Sequence, residues 1–422
     1  MHNWAENVEY STTDLRRPTT VDEVQRLVTS APRVKALGSR HSFNDAADTD
    51  GVQIALDALD VPIELVPAAD GEDVGVRVGA GVTHARLAER LQAEGRALAN
   101  LASLPHISVA GAVSTGTHGS GVGNPALSAA VRSVEIVRAD GTLETVRRGD
   151  PRFDATVVGV GALGVVVALT LDTLPTFDVA QTVFEGIIWD AALGSFDDLV
   201  ASAYSVSLFT GWTGDEVAQV WQKARVGDAP GLDPASLGGR ASGVPLHPLP
   251  DVAADAVTQQ LGVPGPWLER LPHFRADFTP SNGAEIQSEY LVPAEHAPAA
   301  IEALRAVADR FAHLLYVGEI RTMAPDAGWL SPSGGRQSVA FHFTWQRRAD
   351  EVLAALPHVE EALAPFDPRP HWGKVSTFGR DEMRRAYPRL DEFAAHAADV
   401  DPDGRFRNAF LARTVLGGED QA

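Results

Sequence analysis

The sequence has 422 residues, of which 45% are hydrophobic and 22% charged, a composition that excludes long disordered or collagen-like regions. Its 56 acidic and 35 basic residues give a formal charge of −21, and no run of Lys and Arg offsets it, so we expect no nucleic acid or acidic membrane surface as a partner. The absence of cysteine excludes disulfides, thiol catalysis and cysteine-based metal sites, and we predict no metal.

The length predicts two domains, because a single hydrophobic core stops growing at roughly 250–300 residues. The first residues, Met1 to Glu6, lack the basic and apolar regions of a signal peptide. No stretch approaches the ~20 apolar residues that a membrane span requires. We therefore expect a cytoplasmic protein without a membrane partner, and we expect a monomer.

The first domain, predicted to cover residues 1–175, mixes helices and strands. Thr20 and Glu23 form a capping-box pattern that predicts a helix ending near Ser30. Asp140-Gly141 between two alternating segments predicts a β-hairpin. The remaining predictions are strands at 34–37, 52–56, 74–78 and 165–171, the last of them buried, and a helix at 83–95.

The second domain, predicted to cover residues 176–422, begins with little regular pattern. Residues 226–266 are rich in Pro and Gly, which predicts a long ordered loop. Further on, an antiparallel sheet covered by helices is predicted, with strands at 286–291, 316–323 and 341–346 and helices near 294–312 and 349–364. Two more helical stretches close the chain, and the fold class is α+β.

Two loops rich in Gly, Ser and Thr, residues 38–44 and 102–124, are the most informative feature of the chain. Such loops present many backbone N–H groups to an anionic ligand, so they predict a phosphate-bearing cofactor. A histidine in such a loop can also act as a nucleophile and bind the cofactor covalently. His41, His106 and His118 are all candidates on this evidence.

Three known sequence motifs would give these glycine-rich segments other functions. Gly159 to Gly164 matches the dinucleotide fingerprint by letter, but a strand-forming run follows where a helix is required. No glycine loop ends in Gly-Lys followed by Ser or Thr, so a Walker loop is excluded. The segment around Ser114 resembles the nucleophile elbow of a serine hydrolase, yet the glycine-rich residues after it cannot propagate a helix.

Polar residues recur at a spacing of two in the predicted strands of the second domain: Gln287 with Glu289, Glu319 with Arg321, and His342 with Thr344. This spacing places both members of a pair on one face of a strand. A solvated outer face is the common cause of such alternation. Alternatively, these side chains line a cavity for a polyhydroxylated ligand, and Lys374 adds a cation whose proton affinity falls if it is buried near Arg321.

Six short motifs resemble the alditol oxidases of the vanillyl-alcohol-oxidase (VAO/PCMH-type) flavoprotein family, which is related to the aldonolactone oxidoreductases. They occur in the same order over essentially the whole chain. They are Gly-Ser-x-His-Ser from Gly38, Ala-Ser-Leu-Pro-His-Ile-Ser-Val-Ala-Gly from Ala102, Gly-Glu-Ile-Arg-Thr from Gly318, His-Phe-Thr-Trp from His342, His-Trp-Gly-Lys from His371 and Arg-Phe-Arg-Asn-Ala-Phe from Arg405.

The resemblance implies a two-subdomain FAD-binding domain, a substrate or cap domain, and a C-terminal segment, about 370–422, that returns to the flavin. It implies covalent attachment of FAD to His41 through the flavin 8α-methyl group. Arg40 stands where the family pattern has Gly. The residues implied to bind the cofactor are Gly38, Ser39, Arg40, His41, Ser42, Ala102, Ser108, Gly111, Ser114, Gly116, Thr117, His118, Gly121, Gly161, Val165 and Asn408.

The implied activity is oxidation of a terminal alditol hydroxyl, with O₂ reduced to H₂O₂. Arg321 and Lys374 would stabilise negative charge on the substrate oxygen. The implied pocket residues are Ser103, Glu319, Arg321 and Lys374, which are assigned to catalysis, and Gln287, His342 and Thr344, which are assigned to substrate binding. The alternatives are an aldonolactone oxidoreductase, a flavin dehydrogenase, a serine hydrolase that uses Ser114, and a non-catalytic polyol-binding protein.

Overall fold

The computed structural model describes residues 1–68, 73–278 and 285–418. Within these residues, three sheets have three or more strands, and together they hold the two glycine-rich loops in place. Two further pairs of two-residue strands are Arg96–Ala97 with Leu174–Pro175 and Ile187–Ile188 with Glu216–Val217.

A small parallel sheet leads into the first glycine-rich loop. Its strands lie in the order Leu15–Arg16, Val52–Ala55, Val34–Leu37. The helix Val21–Ser30 begins after Thr20, whose hydroxyl accepts from the Glu23 N–H as predicted. The Glu23 carboxylate, however, accepts from the N–H of Thr19 at 2.7 Å, one residue before the partner that a capping box specifies.

A five-stranded antiparallel sheet forms the centre of the N-terminal half. Its order is Glu64–Val66, Gly75–Gly79, Val165–Asp172, Val131–Val137, Leu143–Arg147, and the helices of this half are His84–Ala93, Val109–Ser114 and Phe153–Val157. The predicted hairpin is confirmed, since the Arg138 N–H donates to the Thr142 carbonyl at 2.9 Å. Gly141 at its tip has φ 83°, which glycine adopts without a side-chain clash.

The large sheet of the second half is antiparallel and has nine strands. Its order is Arg240–Ala241, Asp178–Glu185, Gln219–Arg225, Ser205–Thr210, Leu315–Met323, Ser338–Gln346, Glu285–Pro293, Arg369–Pro370, and Gly265–Pro266 also pairs with Asp178–Glu185. The three predicted strands are confirmed as adjacent strands of this sheet. The sequence analysis did not predict the three long strands between residues 178 and 225.

The helices of the second half are Trp189–Gly194, Phe196–Val200, Ala297–Ala306, Ala349–Leu363, Arg380–Ala386, Leu390–Val400 and Ala409–Leu411. The helix predicted near 294–312 ends earlier, because Val307 leaves the helical region with ψ 10°, and short 3₁₀ turns follow it. Residues 226–266 contain only short 3₁₀ turns and two-residue strands, which confirms the predicted loop.

Two large hydrophobic clusters account for most of the buried apolar side chains. One joins the N-terminal sheets, for example through Val165 and Leu169, to C-terminal residues that include Trp372 and Leu411. The other lies between the large sheet and its helices and is rich in aromatic rings such as Phe343. The domain boundary near residue 175 stays a prediction.

Helices that combine the length and the apolar character needed to cross a bilayer are absent from the described part of the chain.

Candidate functional site

A cavity of about 410 Å³ lies where the two glycine-rich loops face the large sheet. This volume is typical of a small-molecule or cofactor site. Of the predicted site residues, those that line the cavity are Gly38, Ser39, Arg40, His41, Ser42, Ala102, Ser103, Ser108, Gly111, Ser114, Thr117, His118, Gly161, Gln287, Glu319, Arg321, His342, Thr344 and Lys374. Of the two interpretations of the polar strand face, the structure therefore supports the one in which it lines a cavity.

His41 lies in the cavity wall as a partly buried, neutral imidazole. Its ring stacks on Trp4, with centroids 5.1 Å apart and planes at 23°. Loss of hydration lowers the pKa of His41 to about 4. Its Nδ1 is buried and has no hydrogen-bond partner among the described residues. The ring is thus in the neutral form that nucleophilic attachment to a cofactor requires.

The neighbouring Arg40 adopts φ 65°, in the left-handed region that glycine enters freely. This conformation costs a non-glycine residue about 1–2 kcal/mol. The N-terminal segment holds the turn, since the Trp4 N–H donates to the Arg40 carbonyl at 2.8 Å and the Asn3 side chain donates to the Ser42 carbonyl at 2.9 Å. Arg40 therefore keeps the loop conformation expected of the glycine that it replaces.

Gly38 of the first glycine-rich loop and Gly111 of the second both face the hydroxyl of Ser108. A Cβ atom would lie 2.6 Å from Ser108 Oγ if added to Gly38, and 2.7 Å if added to Gly111. The Ser108 N–H donates to Ser39 Oγ at 3.1 Å, whereas Ser108 Oγ is buried without a hydrogen-bond partner in the described chain. Such an unsatisfied hydroxyl beside closely packed backbone fits a bound cofactor that carries phosphate groups.

Four predicted cofactor-binding residues do not line the cavity: Gly116, Gly121, Val165 and Asn408. Gly121 donates its N–H to the Thr322 carbonyl, and Val165 is fully buried in the five-stranded sheet. The Asn408 side chain donates to the Asp48 carbonyl at 2.9 Å and accepts from the Leu411 N–H. Their assignment to the cofactor stays a prediction.

Glu289 lies between two cations in the cavity wall. Its carboxylate accepts from Arg321 Nη2 and, at 2.7 Å, from Lys374 Nζ. Burial alone would raise the pKa of Glu289, but the charges of Arg321 and Lys374 outweigh it and hold that pKa well below the ordinary value. Burial lowers the pKa of Lys374, as the sequence analysis expected for a lysine near Arg321. The site thus concentrates positive charge around one anion.

A second carboxylate, that of Glu319, lies next to this cluster. His273 Nε2 lies 2.8 Å from Glu319 Oε1, while Arg321 Nε and His342 Nδ1 each lie 3.7 Å from Oε2. Ser103 is close by, with its Oγ 3.5 Å from Arg321 Nη1. Donors and acceptors therefore alternate along this wall, as recognition of several hydroxyl groups requires.

Sequence reasoning missed two residues of this wall. Glu289 belongs to one of the alternating polar pairs, and that alternation was a usable signal, but it was given no role. His273 follows the Pro/Gly-rich loop in a segment without periodicity, and we find no sequence signal for it. The residues that contact it, such as Glu319, are 46 positions away along the chain.

His118, Glu289 and His371 offer ligand atoms that lie within 4.8 Å of one another. Both oxygens of Glu289 already accept from cations. His371 Nδ1 accepts from the Gly373 N–H at 3.1 Å, so the proton of a neutral ring lies on Nε2. A metal ion here would face two positive side chains and a protonated nitrogen, so the geometry favours an ion-pair network.

Solved structures share this fold. Cholesterol oxidase from Brevibacterium sterolicum aligns with a TM-score of 0.78 at 15% identity, over 98% of this chain and 96% of that one. A solvent-stable cholesterol oxidase aligns with a TM-score of 0.75 over 97% of this chain and 96% of that one, at 16% identity. Residues 15–147 match the FAD binding domain family. The predicted fold class is confirmed: the chain has the VAO/PCMH-type fold and contains an FAD-binding domain.

Relatives that are similar in sequence identify the family of this chain. Alditol oxidase from Streptomyces sp. (strain IKD472 / FERM P-14339) is 49% identical over 99% of both chains. L-gulono-1,4-lactone dehydrogenase from Mycobacterium tuberculosis is 30% identical over 98% of both chains. Residues 282–414 match the D-arabinono-1,4-lactone oxidase family. The chain belongs to the alditol oxidase family of flavoproteins.

Proposed function

We propose that this enzyme oxidises the terminal primary hydroxyl of an alditol, such as xylitol or sorbitol, to the aldehyde of an aldose, with O₂ reduced to H₂O₂. The observation that carries the proposal is the cavity wall, where polar side chains of three adjacent strands face the glycine-rich loops. A chain of hydroxyl groups matches such a wall, because every hydroxyl both donates and accepts. The 49% identity with an alditol oxidase supports the same substrate class.

The proposed attachment site of FAD is His41, through the flavin 8α-methyl group. The ring contacts of the two other candidates support this choice. His106 Nε2 lies 2.8 Å from the Ala276 carbonyl. His118 is buried, with Nδ1 2.9 Å from the Gly119 carbonyl and Nε2 3.4 Å from Glu289. Both of these rings are therefore engaged by protein groups.

When bound, FAD would supply the acceptor for a hydride from the substrate carbon and the route of the electrons to O₂. The protein stabilises the substrate oxygen while its proton passes to the neutral ring of His342, whose Nε2 has no partner among the described residues. We assign Arg321 and Lys374 to this oxygen, because preorganised cations in a buried site stabilise developing negative charge strongly. Glu289 balances these cations until the negative charge develops, which limits the cost of burying them.

Further groups hold the rest of the substrate. Glu319 Oε2 has no neighbour within hydrogen-bond distance among the described contacts and is assigned to accept from the hydroxyl next to the reacting one. His342 is neutral because burial lowers its pKa, and its buried Nε2 has no hydrogen-bond partner in the described chain. It can therefore accept a substrate hydroxyl proton. Ser103, Gln287 and Thr344 complete the set of hydroxyl-binding side chains.

An oxygen-uptake assay over a substrate panel tests the proposal. We expect rapid uptake and equimolar H₂O₂ with xylitol or sorbitol, and slower rates with glycerol, because a shorter chain meets fewer of the polar groups in the wall. The panel includes aldonolactones as the matched comparison. Preference for a lactone, or alditol oxidation that requires an artificial electron acceptor instead of O₂, would contradict the proposal.

The second candidate is an aldonolactone oxidoreductase, which the match of residues 282–414 to the D-arabinono-1,4-lactone oxidase family favours. A hydrolase has less support, since Ser114 is the last residue of the helix Val109–Ser114 and does not lie on a strand-to-helix turn. A non-catalytic binding protein would remain colourless when FAD is added. The cytoplasmic location and the monomeric state stay predictions.

A further inference from the structure

A pair of buried side chains, one in the cavity wall and one behind it, has no part in the proposed mechanism. It consists of Lys223, on the strand Gln219–Arg225, and His273. The two residues are 1% and 5% exposed, respectively. His273 lines the cavity, whereas Lys223 is not among the residues that line it. Lysine is rare in this sequence, which has three lysines and 32 arginines, and Lys223 is one of the three. Lysine differs from arginine in presenting a compact ammonium group in place of a planar guanidinium group.

Lys223 determines which ring nitrogen of His273 carries the proton. Its Nζ donates to the carbonyl oxygens of Leu271 and Pro272, and its third contact is His273 Nδ1 at 3.1 Å. An ammonium group has three donors and no acceptor, so Nδ1 must accept. The proton of the neutral ring therefore lies on Nε2.

That Nε2–H donates to Glu319. The distance from His273 Nε2 to Glu319 Oε1 is 2.8 Å, which is a normal hydrogen bond. The other oxygen, Oε2, has only the longer 3.7 Å contacts with Arg321 and His342. Glu319 is thus fixed through one oxygen and keeps the other for a further donor.

The surroundings of His273 hold its ring in place. Phe209 and Trp221 contact it edge-on, with centroid distances of 5.5 and 5.1 Å. The backbone N–H groups of His273 and Phe274 both donate to the Ser103 carbonyl, at 3.1 and 3.2 Å. The same short segment therefore positions Glu319 and is tied to the second glycine-rich loop.

The charge states agree with this arrangement. Burial lowers the pKa of His273 to about 4, and the positive charge of Lys223 acts in the same direction, so the ring is neutral. Burial lowers the pKa of Lys223 to about 7, against the opposing effect of the Glu319 charge. For Glu319, burial raises the pKa, but the charge of Arg321 and the bond from His273 outweigh it. Between about pH 4 and pH 7, the network is therefore a cation, a neutral ring and an anion.

We infer that Lys223 and His273 are positioning residues that hold Glu319 in the orientation that accepts a substrate hydroxyl. The inference rests on the proposed function and adds to it the origin of specificity for the hydroxyl next to the oxidised carbon. Without the Nε2–H donor, the carboxylate can rotate toward Arg321, whose buried Nε lacks a hydrogen-bond partner among the described residues. That rotation withdraws Oε2 from the substrate.

The kinetic test compares an alditol with its analogue that lacks the hydroxyl next to each terminal carbon, because either end of an alditol can enter the site. We expect wild-type kcat/KM to be about 10- to 100-fold higher for the complete alditol, the usual value of a hydrogen bond to a carboxylate. His273→Phe keeps the aromatic packing and Lys223→Met keeps the side-chain length. In both variants, the ratio of kcat/KM for the complete alditol to kcat/KM for the analogue should fall to about threefold or less, mainly because the KM for the alditol rises.

Two further variants separate positioning from loop stability. Thr258 donates to the Pro272 carbonyl at 2.7 Å, which Lys223 also contacts, but the Thr258 hydroxyl has no bond to the His273 ring. Thr258→Val should therefore retain the preference for the complete alditol. His273→Gln, whose amide can donate to Glu319, should recover part of it. If Thr258→Val and His273→Phe lost the preference for the complete alditol to the same extent, the inference would be overturned.

The tautomer can be measured without turnover. The sequence has 13 histidines, and long-range ¹H–¹⁵N spectra of protein labelled with ¹⁵N-histidine distinguish a protonated Nδ1 from a protonated Nε2. At about pH 6, where Lys223 is an ammonium group, we expect the His273 signal, assigned by its loss in His273→Phe, to report protonation on Nε2. A proton on Nδ1 would overturn the inference even if Lys223→Met did not fold. A wild type that oxidises no alditol would instead contradict the proposed function, and the tautomer would still be decided.

Discussion

The Lys374→Met variant is expected to oxidise alditols with a kcat about 10²–10³-fold below that of the wild type, as is typical when one charge-stabilising donor is removed. Lys374 Nζ reaches Glu289 at 2.7 Å in the wall that we assign to the reacting hydroxyl. Methionine keeps the length of the side chain and removes its charge. The measurement is the steady-state oxygen-uptake rate at saturating alditol, divided by the flavin content of each preparation.

Ser376→Ala is the matched control for Lys374→Met. Ser376 lies two residues further on and donates to Glu360 at 3.0 Å, and it does not line the cavity. Its loss should leave kcat within about twofold of the wild type, because no group in the cavity changes. If Lys374→Met also stayed within that range, Lys374 would have no part in stabilising the substrate oxygen.

The Glu289→Ala variant is expected to lose about 3–5 kcal/mol of unfolding free energy, the usual cost of removing one partner from a buried ion pair. Glu289 is 1% exposed and accepts from both Arg321 and Lys374. Its removal leaves these two positive side chains buried beside each other, and the more distant Glu319, 3.7 Å from Arg321, compensates them only in part. Urea titrations followed by tryptophan fluorescence would give the difference between variant and wild type.

The pH dependence of this loss has a defined sign. The neighbouring cations hold the pKa of Glu289 well below its ordinary value. The ionised carboxylate therefore contributes its full stabilisation at every pH above the pKa that it has in the unfolded chain. This stabilisation is lost only as the pH falls toward the lower pKa of the folded protein. The loss in Glu289→Ala should therefore be constant between about pH 6 and pH 8. Glu302→Ala, which removes an exposed carboxylate, should change stability by at most about 0.5 kcal/mol. Equal effects in the two variants would contradict the ion-pair role of Glu289.

Local patterns in the sequence predicted the parts of the fold that depend on neighbouring residues. The Asp140-Gly141 pair predicted the hairpin because its turn geometry is set by those two residues. Alternation at a spacing of two predicted that Glu319 and Arg321 share one face of a strand, since side chains alternate across a strand whatever its partner is. The polar face predicted from these pairs is the wall of the cavity.

Contacts between distant residues could not be predicted in the same way. In the large sheet Glu289 is paired with His342, which is itself paired with Glu319, and this order depends on how strands far apart in the chain assemble. The ion pairs of Glu289 follow from that order. The position of His273 depends on the backbone bonds of an irregular segment to Ser103, for which no periodic signal exists.

Gly121 and Asn408 show a different limit of sequence reasoning. Gly121 and Asn408 occur in segments typical of the family, and the sequence analysis assigned them to the cofactor. In the fold, Gly121 lies too close to the Tyr204 carbonyl for a side chain, at 2.4 Å from an added Cβ, and Asn408 binds backbone carbonyls next to the first loop. Sequence alone does not distinguish a residue that contacts a ligand from one that holds the loop around it.

The most direct test of the account is peptide mass spectrometry of the yellow holoenzyme after acid precipitation and complete tryptic digestion. Digestion separates His41, in residues 41–77, from His106 and His118, both in residues 97–132. The account predicts flavin on the peptide 41–77 in the wild type, and flavin that acid fully extracts in His41→Ala. Flavin on the peptide 97–132, or flavin that acid releases entirely from the wild type, would contradict it.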